Sequence, residues 1–155
     1  MTRKISAGLL MYRKKNNQLE FFLVHPGGPY FKNKDDGAWT IPKGEVENTE
    51  LLLDTAIREF REETGIDPAG EFISLESVKQ KGGKTVYAWA FKGDWDETTP
   101  IKSNYFEIEW PPRSGKKQKF PEIDKALFFP VNIAKQKINP AQIDFIVKLE
   151  RILKS

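Results

Sequence analysis

The stretch from Thr49 to Thr64 constrains the fold most, because its apolar residues recur at helical spacing. Every third or fourth residue belongs to one apolar stripe, which consists of Leu53, Ala56, Ile57 and Phe60. Asn48 or Thr49 is suited to cap the start of a helix, and Gly65 stands where a C-cap glycine is expected. We therefore predict an amphipathic helix over residues 49–64.

Three glutamates share a face of this predicted helix, away from the apolar stripe. Glu59, Glu62 and Glu63 are spaced i, i+3, i+4. Clustered carboxylates repel one another unless a cation lies among them, and oxygen ligands select Mg²⁺, Mn²⁺ or Ca²⁺ over zinc. Taken alone, such a cluster is more often a solvated acidic face, with Arg58 paired to Glu62 at i+4.

The surrounding residues complete a longer pattern that changes this interpretation. The pattern is G-x5-E-x7-R-E-U-x-E-E-x-G-U, where U is bulky and apolar, and its residues are Gly44, Glu50, Arg58, Glu59, Phe60, Glu62, Glu63, Gly65 and Ile66. This is the Nudix box, so the chain resembles the Nudix hydrolases over 23 of its 155 residues. One departure is Leu51, where family members often carry Ser, Thr or Asp as a helix cap.

The resemblance implies an active site and a reaction. It implies that divalent ions, Mg²⁺ or Mn²⁺, are held by Glu59, Glu62, Glu63 and a loop carbonyl near Lys43 or Gly44. Arg58 and Glu50 would form an ion pair that orients the helix against the loop. Water would attack one phosphorus of a diphosphate, and which carboxylate accepts its proton is left open.

Nudix enzymes frequently add a metal ligand or base from a glutamate outside the box. Glu122 is our candidate, and Glu107 and Glu109 are its rivals. The nearby Phe106 and Trp110 are interpreted as sheet packing rather than as surfaces for base stacking.

Aromatic residues near the box are candidates for substrate binding. The segment from Pro26 to Ala38 is long for a connection between strands, and such loops are often functional. Tyr30, Phe31 and Trp39 could clamp a base by stacking. The alternative is that Trp39 belongs to the core and that Tyr30 and Phe31 merely pin the loop.

Basic residues could bind the phosphate chain. The sequence Pro42-Lys43-Gly44 at the start of the box resembles that of the family branch that cleaves dinucleoside polyphosphates. This resemblance implies that Lys43 faces a phosphate. Lys32, Lys34 and the basic segment from Arg113 to Lys119 could meet a chain longer than two phosphates. The alternative for the basic segment is a solvated loop.

The residue types exclude several other kinds of site. The chain has no cysteine, which rules out disulfides, Cys-ligated zinc and thiol nucleophiles. His25 is the single histidine, so a multi-histidine metal site is also excluded. No apolar run is long enough to span a membrane and no secretion signal is visible, so we expect a cytoplasmic protein.

Strand patterns surround the predicted helix without βαβ regularity. We predict strands at Ile5–Tyr12, Leu19–Val24, Glu71–Val78, Thr85–Phe91, Tyr105–Trp110 and Ala126–Val131, and a final helix at Gln142–Leu153. This order predicts an α+β fold, specifically a Nudix-type α/β/α sandwich with a mixed sheet, in one domain over residues 1–155.

We expect a pyrophosphohydrolase that cleaves a nucleoside diphosphate linked to another group, with dinucleoside polyphosphates as the expected substrates. Alternatives with the same chemistry are a nucleoside triphosphate pyrophosphohydrolase of the MutT type and an RNA 5′-pyrophosphohydrolase. A non-enzyme alternative is a module that senses a nucleotide, although such modules usually have degenerate boxes. The net charge of +3 suits a small anionic substrate, and we expect neither a membrane nor a nucleic-acid partner. The oligomeric state is left open.

Overall fold

A mixed β-sheet with helices on both faces organises the chain in the computed structural model, which describes residues 4–154. The strands are β1 (Ile5–Lys15), β2 (Gln18–Pro26), β3 (Lys43–Glu45), β4 (Ile73–Lys79), β5 (Thr85–Lys92), β6 (Tyr105–Glu109), β7 (Lys117–Pro121) and β8 (Ile123–Pro130). The helices are α1 (Leu52–Thr64), α2 (Val131–Lys137) and α3 (Ile143–Lys154). The predicted α+β class with a mixed sheet is confirmed.

The main sheet has the strand order β4-β5-β1-β2-β8, and β3 pairs with β1 outside this path. Strands β1 and β5 are parallel, whereas the other pairs in this sheet are antiparallel. β6 and β7 form a separate two-stranded hairpin. No helix within residues 4–154 is long and apolar enough to cross a membrane.

Alternation of side chains along the strands gives the sheet two apolar faces. On one face, Phe60 of α1 packs against Phe22 and Phe91, with ring centroids 6.0 and 5.2 Å apart. On the other face, Phe145 and Leu149 of α3 are fully buried in a second core. The sheet is therefore covered by α1 on one side and by α3 on the other.

Helix α1 begins three residues later than predicted. Its N-cap is Leu51, whose side chain makes no capping hydrogen bond. Asn48 cannot serve as the cap, because its φ of 51° places it in a turn before the helix. Glu50 also lies before the helix, and its N–H donates to the carbonyl of Glu47 at 3.0 Å. The predicted cap at Asn48 or Thr49 is wrong.

The predicted C-cap of α1 is confirmed at Gly65, which has φ 77° and ψ 7°. Its N–H donates to the carbonyl of Arg61 at 2.8 Å. A Cβ at this position would lie 3.0 Å from the Cβ of Lys102. Both the backbone conformation and this neighbour favour glycine.

We expect Gly65→Val to lower the free energy of unfolding by about 1–2 kcal/mol, because a β-branched residue is strained in the left-handed region. This loss corresponds to a fall in Tm of roughly 2–8 °C. Thermal unfolding of Gly65→Asn provides the control, since asparagine tolerates this conformation better. An unchanged Tm for the valine variant would contradict the role given to Gly65.

Three short elements were not predicted: β3, β7 and α2. Val131 was predicted to end a strand but instead begins α2. The basic segment from Arg113 to Lys119 is exposed throughout, as the alternative of a solvated loop predicts, but only its first half is a turn, and its second half is the start of β7. Strand β7 has the sequence Lys-Gln-Lys-Phe-Pro, which contains too few apolar residues to show a strand pattern.

Candidate active site

The glycine that starts the box lies directly against helix α1. In β3, Gly44 pairs with Ala7 of β1, and a Cβ on Gly44 would overlap the carboxyl group of Glu59. One residue earlier, the N–H of Lys43 donates to Oε2 of Glu63 at 2.9 Å. Lys43 and Gly44 of β3 therefore fix two of the three predicted ligands, Glu63 and Glu59. Position 44 requires glycine, because only a hydrogen atom leaves room for the carboxyl group of Glu59.

Arg58 links the segment before the helix to the glutamates on it. Its Nε and Nη2 donate to the two carboxylate oxygens of Glu50 at 2.9 and 3.1 Å, and its Nη1 donates to Glu59 at 3.0 Å and Glu62 at 3.2 Å. Glu50 also accepts a hydrogen bond from the Thr55 hydroxyl at 2.6 Å, and sequence reasoning did not find this contact. The bonds from Arg58 lower the pKa of Glu50 to about 2. The predicted Arg58–Glu50 ion pair is confirmed.

The three glutamates differ in burial, although they share one helix face. Glu63 is 9% exposed, and the side chains of Glu59 and Glu62 are 15% and 41% exposed. Burial, followed by the charge of Glu59, raises the pKa of Glu63 well above its usual value. Burial also raises the pKa of Glu59. A fully solvated acidic face is therefore wrong, because β3 covers part of it.

Glu122, which joins β7 to β8, lies close enough for its charge to raise the pKa of both Glu59 and Glu63. Its backbone is held on both sides, since its N–H donates to Asn104 at 2.8 Å and its carbonyl accepts from Gly27 at 2.9 Å. Of the three glutamates proposed outside the box, Glu122 has this electrostatic link to the helix.

Glu107 and Glu109 have a different environment on strand β6. They lie opposite Lys119 and Lys117 of β7 and are exposed. Cross-strand pairs of opposite charge stabilise a hairpin. Glu109 also accepts a hydrogen bond from the N–H of Arg113 at 2.8 Å. These contacts account for both residues as parts of the hairpin.

The donor set fits a hard divalent cation. In this structure, Arg58 donates hydrogen bonds to Glu59 and Glu62. Within residues 4–154, no three acidic, histidine or cysteine side chains lie close enough together to hold one metal ion. The fit therefore concerns the type of donor atom. All the candidate side chains offer carboxylate oxygen, which Mg²⁺ and Mn²⁺ prefer. Burial, and to a lesser extent repulsion from neighbouring carboxylates, raises the pKa of Glu59 and Glu63, and a bound cation would offset that repulsion.

The side chain of Lys43 leaves β3 on the side opposite the face of Gly44. Gly44 faces α1, and neighbouring residues in a strand face opposite sides, so Cβ of Lys43 lies against Gly8 of β1. Burial and then the charge of Lys84 lower the pKa of Lys43, whereas the charges of Glu63 and Glu59 raise it. Its contact with a substrate phosphate stays a prediction.

Trp39 is not available to stack on a base. Its side chain belongs to the core at 4% exposure, its indole N–H donates to Asp35 at 2.8 Å, and its ring packs against Phe129 and His25. The prediction that Trp39 clamps a base is therefore corrected. Tyr30 and Phe31 are exposed at 62% and 38%.

We expect Arg58→Ala to lower kcat/KM at least about tenfold, because it removes the group that fixes α1 against the preceding segment. The matched control is Arg61→Ala, because Arg61 is three residues further along the helix and its partner, Asp67, is exposed. Steady-state kinetics of the two variants make the comparison. Equal activity of both variants would show that Arg58 is an ordinary solvated surface residue.

Comparison with known proteins gives a consistent family assignment. Residues 2–149 match the family model described as NUDIX domain. The chain is 33% identical over 121 residues to the asymmetrical bis(5'-nucleosyl)-tetraphosphatase of Rattus norvegicus, covering 68% of this chain and 76% of that protein. The corresponding protein of Sus scrofa is 30% identical over 119 residues, with the same coverage of 68% and 76%.

Solved structures share the fold. A C. elegans Ap4A hydrolase in a binary complex superposes with a TM-score of 0.64 at 24% identity, covering 97% of this chain and 98% of that chain. The NUDIX domain of Shewanella oneidensis NrtR, complexed with ADP ribose, gives 0.68 at 15% identity, with coverage of 99% and 90%.

Proposed function

The chain belongs to the Nudix family of hydrolases and acts on phosphorus-containing acid anhydrides, and we propose that it is a metal-dependent pyrophosphohydrolase of dinucleoside polyphosphates. The observation that carries the catalytic part is the pair of carboxylates, buried Glu63 and partly buried Glu59, which lie against Lys43 and Gly44 of β3. The substrate part is supported by the similarity to the two tetraphosphatases.

In this proposal, Glu59, Glu62 and Glu63 would hold Mg²⁺ or Mn²⁺, and Glu122 would be a further oxygen ligand. When bound, such cations would supply neutralisation of the diphosphate oxygens, activation of water for attack on phosphorus and stabilisation of the leaving oxygen.

The chain's own residues supply the geometry. Arg58 is bonded to Glu50 and so holds α1 against the segment that precedes it. The backbone N–H of Lys43 fixes the carboxylate of Glu63. The candidates for accepting the proton of the attacking water are Glu59, Glu63 and Glu122.

Positive charge on the loop between β2 and β3, which carries Lys32 and Lys34, suits a substrate with a long phosphate chain. On the hairpin, Lys117 and Lys119 instead lie opposite Glu109 and Glu107. A polyphosphate of three or more units carries more negative charge than a sugar nucleotide, so it gains more from Lys32 and Lys34.

The test is to compare kcat/KM for diadenosine tetraphosphate with the values for ATP, an oxidised dGTP and ADP-ribose, all at the same Mg²⁺ concentration. We expect diadenosine tetraphosphate to have the highest value. A preference of roughly tenfold for any of the other three would contradict the substrate assignment, while the hydrolase itself would remain.

A further inference from the structure

A cavity of about 640 Å³ lies between the loop that follows β2 and the β6–β7 hairpin. Its walls include Pro29 and Lys32 from the loop and Trp110, Phe120 and Pro121 from the hairpin. Its volume is within the range of small-molecule sites, which is roughly 300–1,000 Å³. None of these wall residues belongs to the Nudix box.

The hairpin is fixed on this loop by close packing at a glycine. Phe106 and Phe120 are opposite each other in β6 and β7, with ring centroids 6.0 Å apart. Gly28 has φ 99°, and a Cβ there would lie 2.7 Å from Cζ of Phe106. The charged residues Glu107 and Glu109 alternate with Phe106 and therefore face away from the loop. The aromatic face of the hairpin thus forms one wall of the cavity.

Trp110 is held in the cavity wall by its neighbours. Tyr30 packs edge-on against its ring with the centroids 5.3 Å apart, and the side-chain amide of Gln118 donates to its carbonyl at 3.1 Å. Trp110 is only partly buried and lines the cavity. Its interpretation as sheet packing alone is therefore incomplete.

The cavity adjoins the catalytic glutamates. Pro121 lines the cavity, and the next residue is Glu122, whose charge acts on Glu59 and Glu63. The carbonyl of Glu122 is bonded to Gly27, next to the cavity-lining Gly28. A ligand that fills the cavity can therefore extend past Pro121 toward the carboxylates of α1.

We propose that this cavity binds a nucleobase of the substrate, stacked on Trp110, with the phosphate chain passing Pro121 toward Glu122. Aromatic and proline walls favour a flat ring, and Lys32, which also lines the cavity, favours an attached phosphate. The assignment of the base to the substrate rests on the proposed function, whereas binding of a nucleotide at Trp110 can be measured independently of hydrolysis.

The test compares Trp110→Ala with Tyr105→Ala, which removes a 67% exposed aromatic ring from the other face of the same hairpin. For Trp110→Ala, we expect a roughly 5- to 100-fold weaker affinity for AMP and a similar rise in KM for diadenosine tetraphosphate. The kcat should change little. Binding of ribose 5-phosphate, which lacks a base, should be unchanged, as should every property of Tyr105→Ala.

A conservative variant makes the test independent of any folding defect. Trp110→Phe should keep most of the AMP affinity, because an aromatic ring remains, but should lose the AMP-induced quenching of tryptophan fluorescence that we expect for the wild type. Unchanged AMP affinity in Trp110→Ala, an equal loss for ribose 5-phosphate, or undiminished quenching in Trp110→Phe would each overturn the proposal. If no dinucleoside polyphosphate is cleaved but AMP binding still depends on Trp110, only the proposed function fails.

Discussion

Replacing Glu63 with glutamine is expected to reduce kcat by roughly 100-fold or more, because an amide oxygen is a poor substitute for a carboxylate in the metal-binding role that we propose for Glu63. Glu62→Gln should also lose activity by orders of magnitude for the same reason. Asp54→Asn is the matched control, since Asp54 is an exposed acidic residue in the first turn of the same helix. Steady-state kinetics with saturating Mg²⁺ measures all three variants.

The fold of Glu63→Gln is expected to survive. The glutamine oxygen can still accept the hydrogen bond from the N–H of Lys43, and the substitution removes a buried charge beside Glu59. In the presence of chelator, Tm should therefore equal or exceed that of the wild type. A kcat near the wild-type value would contradict the proposed role of Glu63 in metal binding. A large fall in Tm would show that the lost activity results from unfolding.

Gly44→Ala is expected to reduce kcat/KM about 100-fold, because a displacement of about 1 Å in catalytic geometry has an effect of that size. The added Cβ would overlap the carboxyl group of Glu59, so either the loop or this side chain must move. The control is Gly70→Ala, because a Cβ at Gly70 meets no atom within 4 Å, although its φ of 93° costs some stability. Equal kcat/KM for the two variants would show that the Gly44–Glu59 contact is unimportant for catalysis.

The C-cap at Gly65 could be predicted from the sequence, because the helical pattern ends directly before a glycine. The pairing of Arg58 with Glu50 was implied by the resemblance to the Nudix box, because Glu50 lies before the helix and spacing along the helix does not place it. The burial of Glu63 could not be predicted in this way. It depends on a three-residue strand, β3, that brings distant backbone over the helix.

The surroundings of two aromatic residues also could not be predicted from local sequence. Local sequence allowed two interpretations of Trp39, as a surface for a base or as a core residue, and in the structure its indole donates to Asp35 and packs in the core. Trp110 was interpreted as packing, yet it lines the cavity. The exposure of Trp110 to the cavity arises from the position of the β6–β7 hairpin, whose polar second strand gives almost no signal of its own.

The most direct test of the proposed chemistry is to incubate the protein with diadenosine tetraphosphate and Mg²⁺ in water labelled with heavy oxygen and to identify the products by mass. The account predicts two nucleotide products, one of which carries a heavy oxygen on phosphorus. It also predicts that excess chelator abolishes the reaction and that added Mg²⁺ restores it. Full activity in excess chelator, or products without the label, would contradict metal-dependent hydrolysis of a phosphoanhydride.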